Sequence, residues 1–243
     1  MPEHEISKHT KAVYKVWTDP HLRLKDKIAE IAIEIAIIVF AITLSLMVER
    51  WREKVHEHEI EKDFLTDLKT DLSSDLAQEL DDSTSYRIML NGWNYFYVCG
   101  VSGKIVDKDS LRKYSGKLTN TTTFIANGSR FEGLKSSGQL SVIENKKLLN
   151  LILDLYQFKI KGLNLTTDAI NYTKQHYVIP FILEKLVQRK DGTTNLAELF
   201  FLPQMQNYLQ AGHAAVEALD RYHEIMEQSR QIIAMVDEQY SGK

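Results

Sequence analysis

Cysteine is almost missing from this chain. Cys99 is the single thiol in 243 residues, which excludes an internal disulfide framework and every cysteine-rich zinc module. Breakers are scarce too: with 4 prolines and 11 glycines, a chain this long favours helix over strand and turn. There is no excess of basic residues, since 30 Lys and Arg stand against 33 Asp and Glu, and this argues against a nucleic-acid partner. What the chain does have is apolar side chains, 44% of the total, enough to bury a core in one large domain or two small ones.

The apolar residues are unevenly placed. From Ile35 to Val48 there is no charge, and only Thr43 and Ser45 are polar. Crossing a hydrocarbon core of roughly 30 Å takes about 20 apolar residues. The run reaches that length by extending upstream through "IAEIAIE", which brings in Glu30 and Glu34. An acid at the bilayer centre costs roughly 2.5–3.5 kcal/mol, and less near the edge. Both glutamates fall in the first two turns, and the Ile- and Leu-rich remainder offsets them. A core helix of a soluble bundle normally keeps a polar face, and 35–48 has none. A cleaved signal peptide would start earlier and end in small residues. Trp17 on one side and Arg50, Trp51 and Arg52 on the other supply interfacial anchors. The sequence therefore predicts a transmembrane helix over 28–51, with the lipid bilayer as its first partner.

Glu30 and Glu34 are four residues apart and share a helix face, beside the small residues Ala29, Ala32 and Ala36. Such an acidic pair could form a carboxylate ring at the mouth of an oligomeric cation pore. The simpler reading is that both acids reach the headgroup zone and set the depth of the helix. Segment 1–27 reads as a basic amphipathic helix for an anionic cytoplasmic leaflet. Lys11, Lys15, Arg23, Lys25 and Lys27 before the span outnumber Arg50, Arg52, Lys54 and Lys62 after it. The excess of one places the N-terminus in the cytoplasm and 52–243 outside it.

Beyond Trp51 no breaker occurs until about Asp82, so the span is expected to continue as one long helix. Ile60, Phe64, Leu68, Leu72, Leu76 and Leu80 form an apolar stripe with a step of four, and Asp63, Asp67, Asp71, Asp75 and Glu79 an acidic stripe beside it. Each step advances about 40° past a full turn, so both stripes wind around the helix. The apolar stripe calls for partner helices, and the acidic one reads as a solvated face. Further helices are expected near 84–100, 108–117, 145–188 and 212–240. Segment 120–138 has turn chemistry and reads as a loop, with Phe131, Gly133, Lys135 and Gly138 as a candidate interaction surface. The fold class is thus all-α: one transmembrane helix continuing into a long helix, followed by a helical-bundle domain over 52–243.

No chemistry stands out. "GLKSSGQL" lacks the lysine and hydroxyl residue that complete a phosphate loop. Glu53, His56 and Glu57 share a helix face and could make half a metal site, completed across an oligomer axis, but a solvated juxtamembrane face is the preferred reading. His213 with Glu217 is generic. No enzyme, cofactor or metal site is expected.

Two stretches, "EIAIIVFAITLSLMVERWREK" and "FEGLKSSGQLSVIENKKLLNLILDLYQ", resemble in order and separation a family of bacterial membrane proteins of unknown function, common in Bacteroidetes. The resemblance reaches over roughly 30–157. The chain departs from the family pattern at Glu49 and Arg50, where an asparagine pair is usual, and at Val39-Phe40-Ala41, where a glycine is. The resemblance implies a bacterial inner-membrane protein and carries no activity; the single span and the charge count then put the C-terminal domain in the periplasm. A membrane-anchored helical scaffold is the leading reading, either a homo-oligomer or a subunit joined to another membrane or envelope protein. A small oligomeric cation channel (or its regulatory subunit) and an extracytoplasmic sensor bundle are the alternatives.

Overall fold

A computed structural model of the chain describes residues 23–240 together with Lys11, Tyr14 and Thr18; the side chains of Asp26, Lys27, Glu30 and His213 fall outside that set. The basic N-terminal segment and its anchor Trp17 therefore lie largely outside the described residues, as does the Glu30 side chain. All regular structure among the described residues is helical, apart from an isolated bridge between Gln188 and Thr194. The all-α expectation holds. The chain divides into two compact units, Met1–Ile60 and Glu61–Lys243.

The first long element, α1, covers Leu24–Ser102. The break expected near Asp82 does not occur. Ser83 and Thr84 each donate their hydroxyl to the Leu80 carbonyl, at 3.0 and 2.9 Å, so these polar residues bond back along the helix instead of ending it. The chain turns only at Gly103, whose φ of 66° lies in the left-handed region that glycine reaches without strain.

In the first unit, apolar side chains are exposed on every side of α1 between Ile35 and Val48, with Phe40 69% exposed. Within this run Thr43 donates its hydroxyl to the Val39 carbonyl at 2.7 Å, which satisfies it inside an apolar surrounding. Arg50, Trp51 and Arg52 are exposed, and Glu34 is partly covered.

The second unit is built on three long helical stretches: α1 from Glu61 onward, 146–185, and α9. The middle stretch joins α4 (Lys146–Asp154), α5 (Ile160–Thr173) and α6 (Ile179–Lys185) through π-helical segments at Leu155–Lys159 and Lys174–Val178. The second π segment has a clear cause. Pro180 has no N–H to give to the preceding turn, and the wider turn just before it takes up the mismatch. Helix α9 covers Ala214–Tyr240. Shorter helices lie between: α2 (Lys108–Ser115), α3 (Ser129–Ser136), α7 (Leu196–Leu199) and α8 (Pro203–Gln210). Asp107 caps α2 by accepting from Asp109 and Ser110 backbone N–H groups, and Asn145 caps α4 by accepting from Leu148.

Side-chain pairs set the register. Glu61 meets Gln239, Lys69 pairs with Asp237, the Tyr86 and Tyr222 rings lie 5.7 Å apart, and Phe96 stacks near Phe200 at 3.9 Å. Helix α9 therefore runs antiparallel to α1. Gln228 bonds to the Leu151 carbonyl, Lys159 pairs with Glu224, and Thr166 contacts Glu217, so 146–185 runs antiparallel to α9 as well.

Between α2 and α3 an extended strap, 119–128, runs back along α1. Phe124 anchors it, buried edge-on against Tyr222. The segment expected to be a loop over 120–138 thus divides into this strap and the helix α3. Phe131 and Leu134, three apart, turn α3 inward, and Phe131 stacks on Tyr156 with ring centroids 4.7 Å apart. Gly138, with φ of 73°, lets the chain leave the helix in the left-handed conformation.

Candidate functional site

An extended strap without a neighbouring strand must find other partners for its backbone, because an unmet buried N–H or C=O costs about 1–3 kcal/mol. Here core side chains provide them. Tyr86 donates to the Thr122 carbonyl at 2.9 Å, and Asn171 donates to the same carbonyl and to Thr123 Oγ1, both at 3.3 Å. The Asp75 carboxylate accepts from the Asn127 backbone N–H and from its side-chain amide. Lys174 donates to the Asn120 carbonyl. These contacts explain why polar groups occupy the core.

The acidic stripe of α1 is a solvated face only at its start, where Asp63 and Asp67 are exposed. Asp67 and Asp71 both pair with Arg130, at 3.5 and 2.9 Å. Asp75, Glu79 and Asp82 lie inside, at positions where the core seam passes from Leu72 to Tyr86. The reason is the winding described above. By Leu76 the apolar stripe has begun to rotate outward, Leu80 is exposed, and the acids have rotated in.

Burial raises all three carboxyls. Asp75 is raised by desolvation against the lowering effect of its Asn127 bonds, and Asp82 by desolvation despite Gln78 and the Tyr222 hydroxyl. Glu79 is pushed up to about 8, by burial first and then by the Asp75 charge, with Arg230 on α9 acting the other way. Its Oε2 has no hydrogen-bond partner among the described residues.

A glutamate in the unfolded chain titrates near 4.5. Between there and about 8 the folded protein keeps a proton that the unfolded chain has released. Stability therefore falls as pH rises through this window, by up to about 1.4 kcal/mol per pH unit. Glu79→Gln is expected to flatten that slope and to melt above the wild type at the alkaline end. Parallel thermal melts at each pH check this, and equal slopes for the two proteins would refute it.

Next to this seam lies a cleft of about 350 Å³, lined by Tyr86 and Met89 of α1, by Lys117, Thr119 and Thr121 of the strap and its approach, and by Lys174. Lys174 is only 2% exposed and sits in the second π segment. Its ammonium is 5.8 Å from the centre of the Trp93 ring. Burial alone lowers it to about 8. Trp93 is held against Gly212, where a Cβ would lie 1.4 Å from the indole, so only glycine permits the contact.

The residues singled out from the sequence differ in exposure. Phe131 is buried, Lys135 is partly covered with its ammonium 5.7 Å from the Phe131 ring, and Gly133 and Gly138 are exposed. Glu53, His56 and Glu57 are exposed on α1. No group of His, Cys, Asp and Glu among the described residues is arranged to hold a metal ion. Sequence reasoning missed Lys174 and the buried acids. The signal was their register, since Leu163, Thr167, Ile170 and Asn171 lead to Lys174 on the inner face.

Comparison with protein-family models, with curated proteins and with solved structures finds no match in any of the three.

Proposed function

We propose that this chain is a membrane-anchored helical scaffold, with 28–51 as a single transmembrane helix and the unit from Glu61 onward as an interaction module. One observation carries the reading. The apolar side chains of 35–48 are uncovered around the whole helix, an arrangement that water penalises and lipid does not. The resemblance of 30–157 to bacterial inner-membrane proteins supports the same reading. The weak excess of basic residues before the span favours a cytoplasmic N-terminus and a periplasmic module.

A second surface supports a protein partner. Phe158, Leu165 and Tyr172 are exposed at seven-residue spacing along 146–185, so they form a line on one face of that helix. A second copy of the chain, or a neighbouring subunit, would cover it.

Crosslinking of protein gently solubilised from its native membrane, followed by mass analysis, tests this reading. The expected result is a discrete oligomer or a stable complex that a Leu165→Lys change weakens. A monomer with no copurifying protein would overturn it. The sensor alternative gains support from the cleft beside Lys174.

A further inference from the structure

We propose that the cleft between α1, the strap and 146–185 is a binding site for a small oxyanion, the carboxylate or phosphate group of a low-molecular-weight ligand, held by Lys174 at its floor and Lys117 at its rim. This goes beyond the scaffold reading and stands or falls without it.

The first ground is an uncompensated charge. Lys174 gives one N–H to the Asn120 carbonyl and presents another side to the Trp93 ring, yet no carboxylate among the described residues pairs with it. Its remaining donor capacity has no hydrogen-bond acceptor among the described residues. Burying an ammonium without a counter-charge is costly. One strap carbonyl does not require that cost, because Asn171 serves Thr122 with a neutral amide one turn earlier.

The second ground is the lining. Its charged members are Lys117 and Lys174, and no acid is among them. The acids of the neighbourhood, Asp82 and Asp168, act on the Tyr86 hydroxyl and not on Lys174. Two ammonium groups and the Thr119 and Thr121 hydroxyls all offer donors, which is what an oxyanion needs. The apolar wall from Met89 and Ile88 gives a small organic acid a surface for its carbon skeleton. The volume is that of a small-molecule site.

Trp93 makes the site observable. With Trp17 and Trp51 replaced by Phe, it is the only indole in the full-length chain. That protein, in detergent micelles at neutral pH, is titrated with succinate and with inorganic phosphate, and with sodium chloride at matched ionic strength. The expected result is a saturable change in Trp93 emission with succinate or phosphate and none with chloride. The relative response to the two probes identifies the preferred head group.

Lys174→Gln keeps a donor for Asn120 and removes the charge. It is expected to retain thermal stability while weakening the response by roughly tenfold or more. Lys117→Met weakens it less. Affinity also declines as pH is raised through about 8, as the Lys174 ammonium loses its proton. If the Phe variant is poorly folded, the same probes should raise the melting temperature of the wild-type protein relative to chloride. No saturable response by either measurement would overturn the proposal, as would undiminished binding by a folded Lys174→Gln protein.

Discussion

Replacing Val39 and Ile42 together by lysine is expected to release the chain from the membrane fraction. Both side chains are more than half exposed in the middle of the apolar run, Val39 at 57% and Ile42 at 53%. Each lysine costs roughly 2.5–3.5 kcal/mol at the centre of a bilayer, and each lost apolar side chain removes a few tenths more, so the pair costs about 6–8 kcal/mol. The whole run, at about −0.3 to −0.6 kcal/mol per apolar residue, is worth about 4–7 kcal/mol, so the pair cancels most or all of it. Alkaline carbonate extraction reads the result directly. Wild-type protein should stay with the lipid pellet, and the variant should appear in the soluble or aggregated fraction. Leu80→Lys, at an exposed position of the second unit, should leave the distribution unchanged. A variant that remained integral would place the membrane contact elsewhere in the chain.

The second large effect is expected at Phe131. Its ring is fully buried and stacked on Tyr156, so Phe131→Ala removes a large core side chain and leaves a cavity. Such changes cost about 3–5 kcal/mol, enough to lower the melting temperature of a unit this size by about 10 °C. Ile125→Ala, at a strap position that is 75% exposed, should change stability by less than about 0.5 kcal/mol. The contrast separates two roles for 120–138. An interaction loop would tolerate both changes and lose a partner, whereas a structural clasp fails at Phe131 first.

The sequence made the long helices legible because their evidence is periodic. The run at 35–48, the ladder from Phe64 to Leu72, and the stretches near 146–185 and 214–240 all announce themselves by spacing and by the lack of breakers. Helix α3 was hidden by composition. Gly128, Gly133, Ser136 and Gly138 read as turn residues, and the decisive clue, Phe131 with Leu134 three residues on, is only a pair.

The buried acids were hidden by convention. Asp75 and Glu79 look like part of a solvated stripe until the seam is followed at 3.6 residues per turn, whereupon they fall between Leu72 and Tyr86. The register of α1 points to their burial but not to what Asp75 serves, because Asn127 is far along the chain. Lys174 was missed for the same reason: a lysine on a helix looks solvated until the carbonyl it meets is known.

The contact of Glu61 with Gln239 has a practical outcome. Glu61, the first residue of the second unit, and Gln239, near the last described turn of α9, lie at one pole, so these two points are neighbours. A unit with that property can be lifted out and grafted into a surface turn of an unrelated carrier without stretching either junction. Joining those two points by a short link and opening a new pair of ends at the exposed turn around Gly192, between the bridged residues Gln188 and Thr194, would give a rearranged chain with the same packing.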